Sequence, residues 1–182
     1  MTPTKFLWVD LEMTGLDPTK DVILEIAAEI TDASLKTLAS YESRVRQPRD
    51  IVIKRIQKNT WWQNYVVNRD DFLKNLEYGK PIDEIEEQLI RLIEKHFGDE
   101  LAILSGNSIW NDRMFIKAAM PQLDIKLHYR MLDVSAWKVF MQANFDVEFK
   151  KPEVHRAFED IQGSIAELQY YLDWFKKHGD KS

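Results

Sequence analysis

Asp10 and Glu12 stand two residues apart at the end of an apolar run, Phe6-Leu7-Trp8-Val9. In a strand, side chains at i and i+2 point to the same face, so these two carboxylates aim the same way, about 7 Å apart along the backbone. Like charges held side by side repel, and burying them unpaired is expensive. The pattern asks for a positive group between them. Three further stretches carry polar residues where a core pattern would not place them. Ser105-Gly106-Asn107-Ser108-Ile109-Trp110-Asn111-Asp112 follows a short apolar run and sets Asp112 early in a helix. Leu127-His128-Tyr129-Arg130-Met131-Leu132-Asp133-Val134-Ser135 is the second. His155-Arg156-Ala157-Phe158-Glu159-Asp160 opens the last helix, with Asp160 beside the core-facing Ile161 and His155 just ahead of the helix.

The elements that must position these residues follow from periodicity. Residues 5–12, 22–31 and 38–46 read as three strands of an antiparallel meander, turning at Asp32-Ala33-Ser34-Leu35-Lys36. The stretch from Pro48 to Asn75 has no clear period except a helical segment at 68–76. Pro81 opens a helix in which Ile82, Ile85, Leu89, Leu92, Ile93 and Phe97 keep helical spacing, and Gly98 stops it. Leu101 to Leu104 is a short buried strand, and residues 106–119 enter another helix. Asp133 reads as the N-cap of VSAWKVFMQA. Residues 156–177 form the final helix, with Ile161, Ile165, Leu168, Leu172 and Phe175 along one stripe. Strands followed by helices alternating with short strands give an α/β layered fold with a mixed sheet.

The bulk numbers bound the class. At 182 residues the chain is long enough for one domain with its own core, and residues 1–182 are read as a single domain. The absence of cysteine rules out disulfides and thiolate metal sites. No leader-like segment or membrane-length apolar run is visible, which predicts a soluble, cytoplasmic protein. A net charge of −5 argues against a non-specific binder of long nucleic acids. It leaves room for a nucleic-acid enzyme in which bound cations neutralise a few phosphates.

DLEMTGLD, GNSI-x-x-D-R, HYR-x-LDVS and H-x-A-x-x-D-I, in this order, resemble the motifs of the oligoribonucleases, small 3′→5′ exonucleases of the DEDDh group in the RNase H-like superfamily. The likeness runs through nearly the whole chain, including the ending SIAELQYYLDWF. It implies an RNase H-like exonuclease fold, a mixed five-stranded sheet flanked by helices. It also implies hydrolysis of short RNA, down to dinucleotides, to 5′-mononucleotides. Such hydrolysis needs a nucleophile at neutral pH and charge compensation on the leaving oxygen. Two divalent ions about 3.5–4 Å apart meet both needs, and hard ions such as Mg²⁺ or Mn²⁺ prefer carboxylate oxygens. On this resemblance Asp10, Glu12, Asp112 and Asp160 are the metal ligands. Asp10 bridges both ions, Glu12 and Asp160 complete the site of the attacking water, and Asp112 holds the second ion. His155 is the general base, since imidazole titrates in the useful range.

The same resemblance assigns a substrate-binding set. Backbone at Met13 holds the terminal ribose, Leu16 wedges between the two bases, and Trp61 or Trp62 stacks on the 3′ base. Ser108, Arg130 and Ser135 cap the 5′ phosphate, which excludes longer chains. Tyr129 reaches the active site of a neighbouring subunit, which makes the enzyme a homodimer. The chain departs from the family pattern in three places. NRDDFL replaces the usual His-x-x-Ser-Gly-Leu after the family tryptophan, which leaves Trp61 and Trp62 both open. Glu159 stands where Asp is usual, and Gln162 where Arg is common.

Each motif also has a plainer reading. Asp10 and Glu12 fit a solvated strand face, His155 a helix cap, Trp61-Trp62 packing, and DEIEEQ a solvated helix face with favourable N-terminal charge. His96 and His128 read as structural. The competing functions are another DEDDh exonuclease, for DNA proofreading or RNA trimming, and a catalytically idle nucleotide-binding module.

Overall fold

The computed structural model describes residues 3–150 and 155–179. A single five-stranded sheet orders the molecule, with strand order β3-β2-β1-β4-β5. The strands are β1 (Lys5–Met13), β2 (Ile23–Asp32), β3 (Thr37–Arg44), β4 (Ala102–Gly106) and β5 (Leu127–Asp133). The first three form the expected antiparallel meander, and β4 and β5 add in parallel, which makes the sheet mixed. Around it lie α1 (Arg49–Ile56), α2 (Trp61–Asn64), α3 (Val66–Asn75), α4 (Ile82–Phe97), α5 (Trp110–Ala119), α6 (Pro121–Asp124), α7 (Val134–Phe145) and α8 (Ala157–His178).

Strand alternation splits the core into two layers. Leu7, Val9, Leu11, Ile26 and Ile30 face one way and pack against Ile85, Leu89 and Ile93 of α4 and Phe115 and Ile116 of α5. Trp8 and Ala27 face the other way, against Met141 of α7 and Ala157, Ile161, Leu168 and Tyr171 of α8. Each large apolar side chain fully buried in these layers contributes about 1.5–3 kcal/mol. A third cluster, Leu24, Val52, Ile56, Trp62, Phe72 and Leu76, roofs the end of the meander with α1, α2 and α3.

Most expected elements lie within two residues of their observed bounds. Gly98 ends α4 with φ +61, a backbone region that glycine enters at little cost. Asp133 caps α7 by accepting a hydrogen bond from the Ser135 N–H at 2.9 Å. The stretch without clear period resolves into α1, α2 and α3, short helices whose burial comes from one another rather than from a long apolar stripe. Among the described residues, no helix is long and apolar enough to cross a membrane.

Candidate active site

The α8-facing side of the sheet is apolar in its middle and acidic at one end. Asp10 and Glu12 share that side with Glu25, which lies directly opposite Glu12 in the β1–β2 register. α8 crosses the same side and starts at the acidic end, so its first turn carries Asp160 to the two strand carboxylates. One oxygen from each of Asp10, Glu12 and Asp160 lies within 4.8 Å of the others. Three carboxylate oxygens this close fit a hard divalent cation.

Electrostatics within the cluster tell the same story. Burial, and then the charges of Asp160 and Glu25, push the Glu12 carboxyl up from 4.5 to about 8, while Arg156 pulls it down. Carboxylate repulsion is thus second to desolvation, and it comes from Asp160 and Glu25 rather than from the Asp10 neighbour that strand alternation singled out. Asp112 stands apart from the triad. β1 pairs with β4 only at Leu7 and Trp8, so the Leu11 N–H is left to other acceptors, and Asp112 Oδ1 takes it at 3.0 Å. Burial pushes Asp112 up to about 7 despite that bond. Its charge still reaches Glu12 and raises it further.

His155 sits one residue before the N-cap of α8, with φ +53, a left-handed conformation disfavoured for a side-chain-bearing residue. Its ring meets Tyr65 at 4.2 Å and Trp61 at 4.9 Å, both edge to face. Asn68 Nδ2 donates to its carbonyl at 2.9 Å. Beside it a cavity of about 350 Å³ opens, with Glu12, Met13, Leu16, Asn59, Trp61 and His155 among its walls. The cavity therefore joins the acidic cluster to an apolar shelf.

The two tryptophans separate clearly. Trp62 is 1% exposed, donates Nε1–H to the Thr14 carbonyl at 3.1 Å and packs edge-on against Phe72. Trp61 is half-buried and faces the cavity and His155. Leu16, 75% exposed, stands at the tip of the loop after β1. Asp21 pins that loop by accepting from Thr14 Oγ1 and the Asp17 N–H, each at 3.0 Å. Gly15 is required there because a Cβ would come within 2.5 Å of the Asp21 carboxylate.

Ser108 and Ser135 meet on the far side of β4, their hydroxyl oxygens 3.1 Å apart. Asp133 Oδ1 accepts from both the Ser108 and the Ser135 N–H groups, so the helix cap also fixes the serine pair. Tyr129 and Arg130 do not join them. They lie three and more residues back along β5, the edge strand, and border a separate cavity with Lys5, Leu101 and Ile103. Tyr129 is 72% exposed and stacks on His128 at 4.4 Å.

Sequence reading missed Glu25. It is 1% exposed and forks onto Arg156, with Nε–Oε1 at 3.0 Å and Nη2–Oε2 at 2.8 Å. The signal was present in ILEIAAEIT, where Glu25 and Glu29 interrupt an otherwise apolar strand four residues apart. Glu29 is likewise buried and bonded to Thr37 and Gln162.

Comparison with known proteins agrees with this architecture. Residues 7–168 match the RNase_T family, described as exonuclease. An oligoribonuclease of Corynebacterium glutamicum (strain R) is 39% identical, over 92% of this chain and 78% of its own. The oligoribonuclease of Pseudomonas aeruginosa PAO1 is 38% identical, over 96% and 98%. Among solved structures, exonuclease I from Methylocaldum szegediense superposes with a TM-score of 0.64 at 12% identity, covering 97% of this chain and 41% of that one. E. coli exonuclease I in complex with a 5cy-dA13 oligonucleotide gives 0.57 at 14%, over 96% and 43%. At these identities the structural likeness is one of fold alone, and this chain spans less than half of those longer exonucleases. Identity near two in five over more than nine-tenths of this chain, and over 78% and 98% of the two relatives, is a different matter: this chain belongs to the oligoribonuclease family.

Proposed function

We propose that the protein is a 3′→5′ exoribonuclease that hydrolyses short RNA oligonucleotides, dinucleotides above all, to 5′-mononucleotides. The observation that carries this reading is the Asp10–Glu12–Asp160 cluster, whose Glu12 also lines the cavity walled by Leu16, Trp61 and His155. Two Mg²⁺ or Mn²⁺ ions fit the all-oxygen donor set. Asp10, Glu12 and Asp160 would hold an ion between them, and Asp112 would serve a second. When bound, the ions lower the pKa of a water and compensate charge on the leaving oxygen.

The protein's own groups do the rest. Trp61 offers its face to the 3′ base and Leu16 separates that base from its neighbour. Backbone at Met13 receives the terminal ribose. His155 takes a proton from the attacking water as oxygen adds to phosphorus. The bond from phosphorus to the 3′ oxygen breaks, and that oxygen leaves as a hydroxyl after taking a proton from solvent. The Ser108–Ser135 pair binds the 5′ phosphate and closes the far end of the site. Tyr129 and Arg130 border a different cavity from the one beside Glu12 and His155. In this reading they are presented to the cleft of a second copy, which makes the working form a homodimer.

A time course with 5′-labelled di-, tri- and heptaribonucleotides in Mn²⁺, repeated with EDTA, tests the proposal. Fast dinucleotide cleavage abolished by EDTA is the expected result. Cleavage of the longer strand that stalls at the dinucleotide would retain the metal chemistry and remove the phosphate cap. Inert substrates of every length would leave a nucleotide-binding module.

A further inference from the structure

We infer that the buried Glu25–Arg156 ion pair is a positioning device that holds His155 in register with the carboxylates; the inference rests on the reading of His155 as general base. Glu25 has no access to solvent, and a buried carboxylate persists only where donors converge on it. Three do so. Arg156 supplies a two-bond fork, the Ala157 N–H donates at 3.2 Å, and Arg44 Nε lies 3.7 Å away. Arg156 is held in turn by Asp71 of α3, with Nη1–Oδ2 at 3.5 Å, and by the Phe72 ring, 5.8 Å from the guanidinium carbon. One side chain thus fastens the start of α8 to β2 and to α3.

The residue so fastened is the chain neighbour of His155. The His155 backbone occupies the left-handed region at φ +53, which persists only where its surroundings over-determine it. On one side its carbonyl accepts from Asn68 of α3. On the other, Arg156 is clamped by its side chain to Glu25 and by its N–H to Asp160 Oδ2 at 3.1 Å. Without the fork, the peptide between His155 and Ala157 loses the anchor that resists relaxation toward negative φ, and the ring swings from its place beside Trp61. Neither Glu25 nor Arg156 lines the substrate cavity, so a direct contact with substrate is not their route; their charges also act on Glu12, and metal affinity must therefore be followed beside turnover to isolate the part that passes through His155.

The test is a double-mutant cycle on dinucleotide hydrolysis. Arg156→Lys retains a cation for Glu25 but loses the fork; Glu25→Gln removes the charge and retains the shape. Each is measured alone and with His155→Ala, for kcat, KM, Mn²⁺ affinity by calorimetry, and melting temperature. Alone, Arg156→Lys lowers kcat roughly 10- to 100-fold with KM and Mn²⁺ affinity within about twofold of the parent, whereas Glu25→Gln, which also relieves Glu12 of a neighbouring charge, lowers kcat at saturating Mn²⁺ by a similar factor. In the His155→Ala background the same change costs less than about twofold, because the group it positions is gone. An equal loss in both backgrounds, a loss that follows Mn²⁺ affinity, or full activity in Arg156→Lys overturns the inference. If His155→Ala itself turns over at the parent rate, the general-base reading falls first and this one with it. If His155→Ala is slow and Arg156→Lys is fast, only the positioning role falls.

Discussion

Glu12 meets two penalties at once, desolvation and the charges around it, and its carboxyl rises to about 8. The sign of the consequence is definite. Between its ordinary value of 4.5 and about 8 the folded, metal-free protein keeps a proton on Glu12 that the unfolded chain has released. Its contribution to stability therefore declines as pH rises through that window. A cation reverses the balance by displacing the proton. Mg²⁺ binding at neutral pH is expected to release protons, seen as a calorimetric enthalpy that varies with the ionisation enthalpy of the buffer. Apparent affinity is expected to rise from pH 6 and level off above about 8. Glu12→Gln should weaken binding and flatten the pH dependence of the metal-free melting temperature. Buffer-independent enthalpies would mean that Glu12 is already ionised. The Asp10–Glu12 pairing was legible in sequence because strand alternation is a local rule. Glu25 was not, since its partner lies 131 residues along the chain.

Short elements account for what sequence left open between residues 48 and 75. α2 is four residues long, too short for a hydrophobic stripe to show, yet it decides which tryptophan does what. On a helix, adjacent residues point in different directions. Both line the cavity, but Trp62 is buried and turned to Phe72 and the Thr14 carbonyl, whereas Trp61 is half-buried and turned to His155. Trp62→Ala is expected to cost about 3–5 kcal/mol of stability in denaturant melts. Trp61→Ala should leave stability nearly unchanged and raise the KM for a dinucleotide roughly 5- to 150-fold, the loss of one base stack worth about 1–3 kcal/mol. An exchange of these two phenotypes would reverse the assignment. β5 escaped local reading for a related reason. As an edge strand with three consecutive exposed residues among its seven it shows no apolar alternation, and only its pairing with β4 identifies it.

At the scale of the molecule, the edge strand β5 carries Tyr129 and Arg130, which border a cavity separate from the one beside Glu12 and His155 and which the proposed function assigns to substrate. Mixing two inactive proteins tests whether a second copy delivers them. Asp10→Ala lacks a metal ligand and Tyr129→Ala lacks the donated ring, so each homodimer is inactive at both sites. A mixed dimer has one site with both intact. After subunit exchange, activity should return to about a quarter of the parent value, since half of the dimers are mixed and each has one competent site of two. Recovery of nothing, together with a monomeric mass by light scattering, would mean that no second copy supplies Tyr129.

Sequence by itself determined what depends on near neighbours. The alternation of β1 set Asp10 and Glu12 on one face, the 4-3 spacing of α8 gave that helix its buried side, and Asp133 announced a helix start. It also carried the family resemblance that ordered these motifs into one site. Tertiary structure decided what depends on distant packing. α8 lies across the acidic side of the sheet, so Asp160 reaches the strand carboxylates while Asp112, on α5, is drawn to the Leu11 N–H. The fold buries Glu25 where Arg156, Arg44 and the Ala157 N–H converge on it, and it buries Trp62 while leaving Trp61 half-buried beside His155. Periodicity records which face of an element is buried, but only packing determines what that face is buried against.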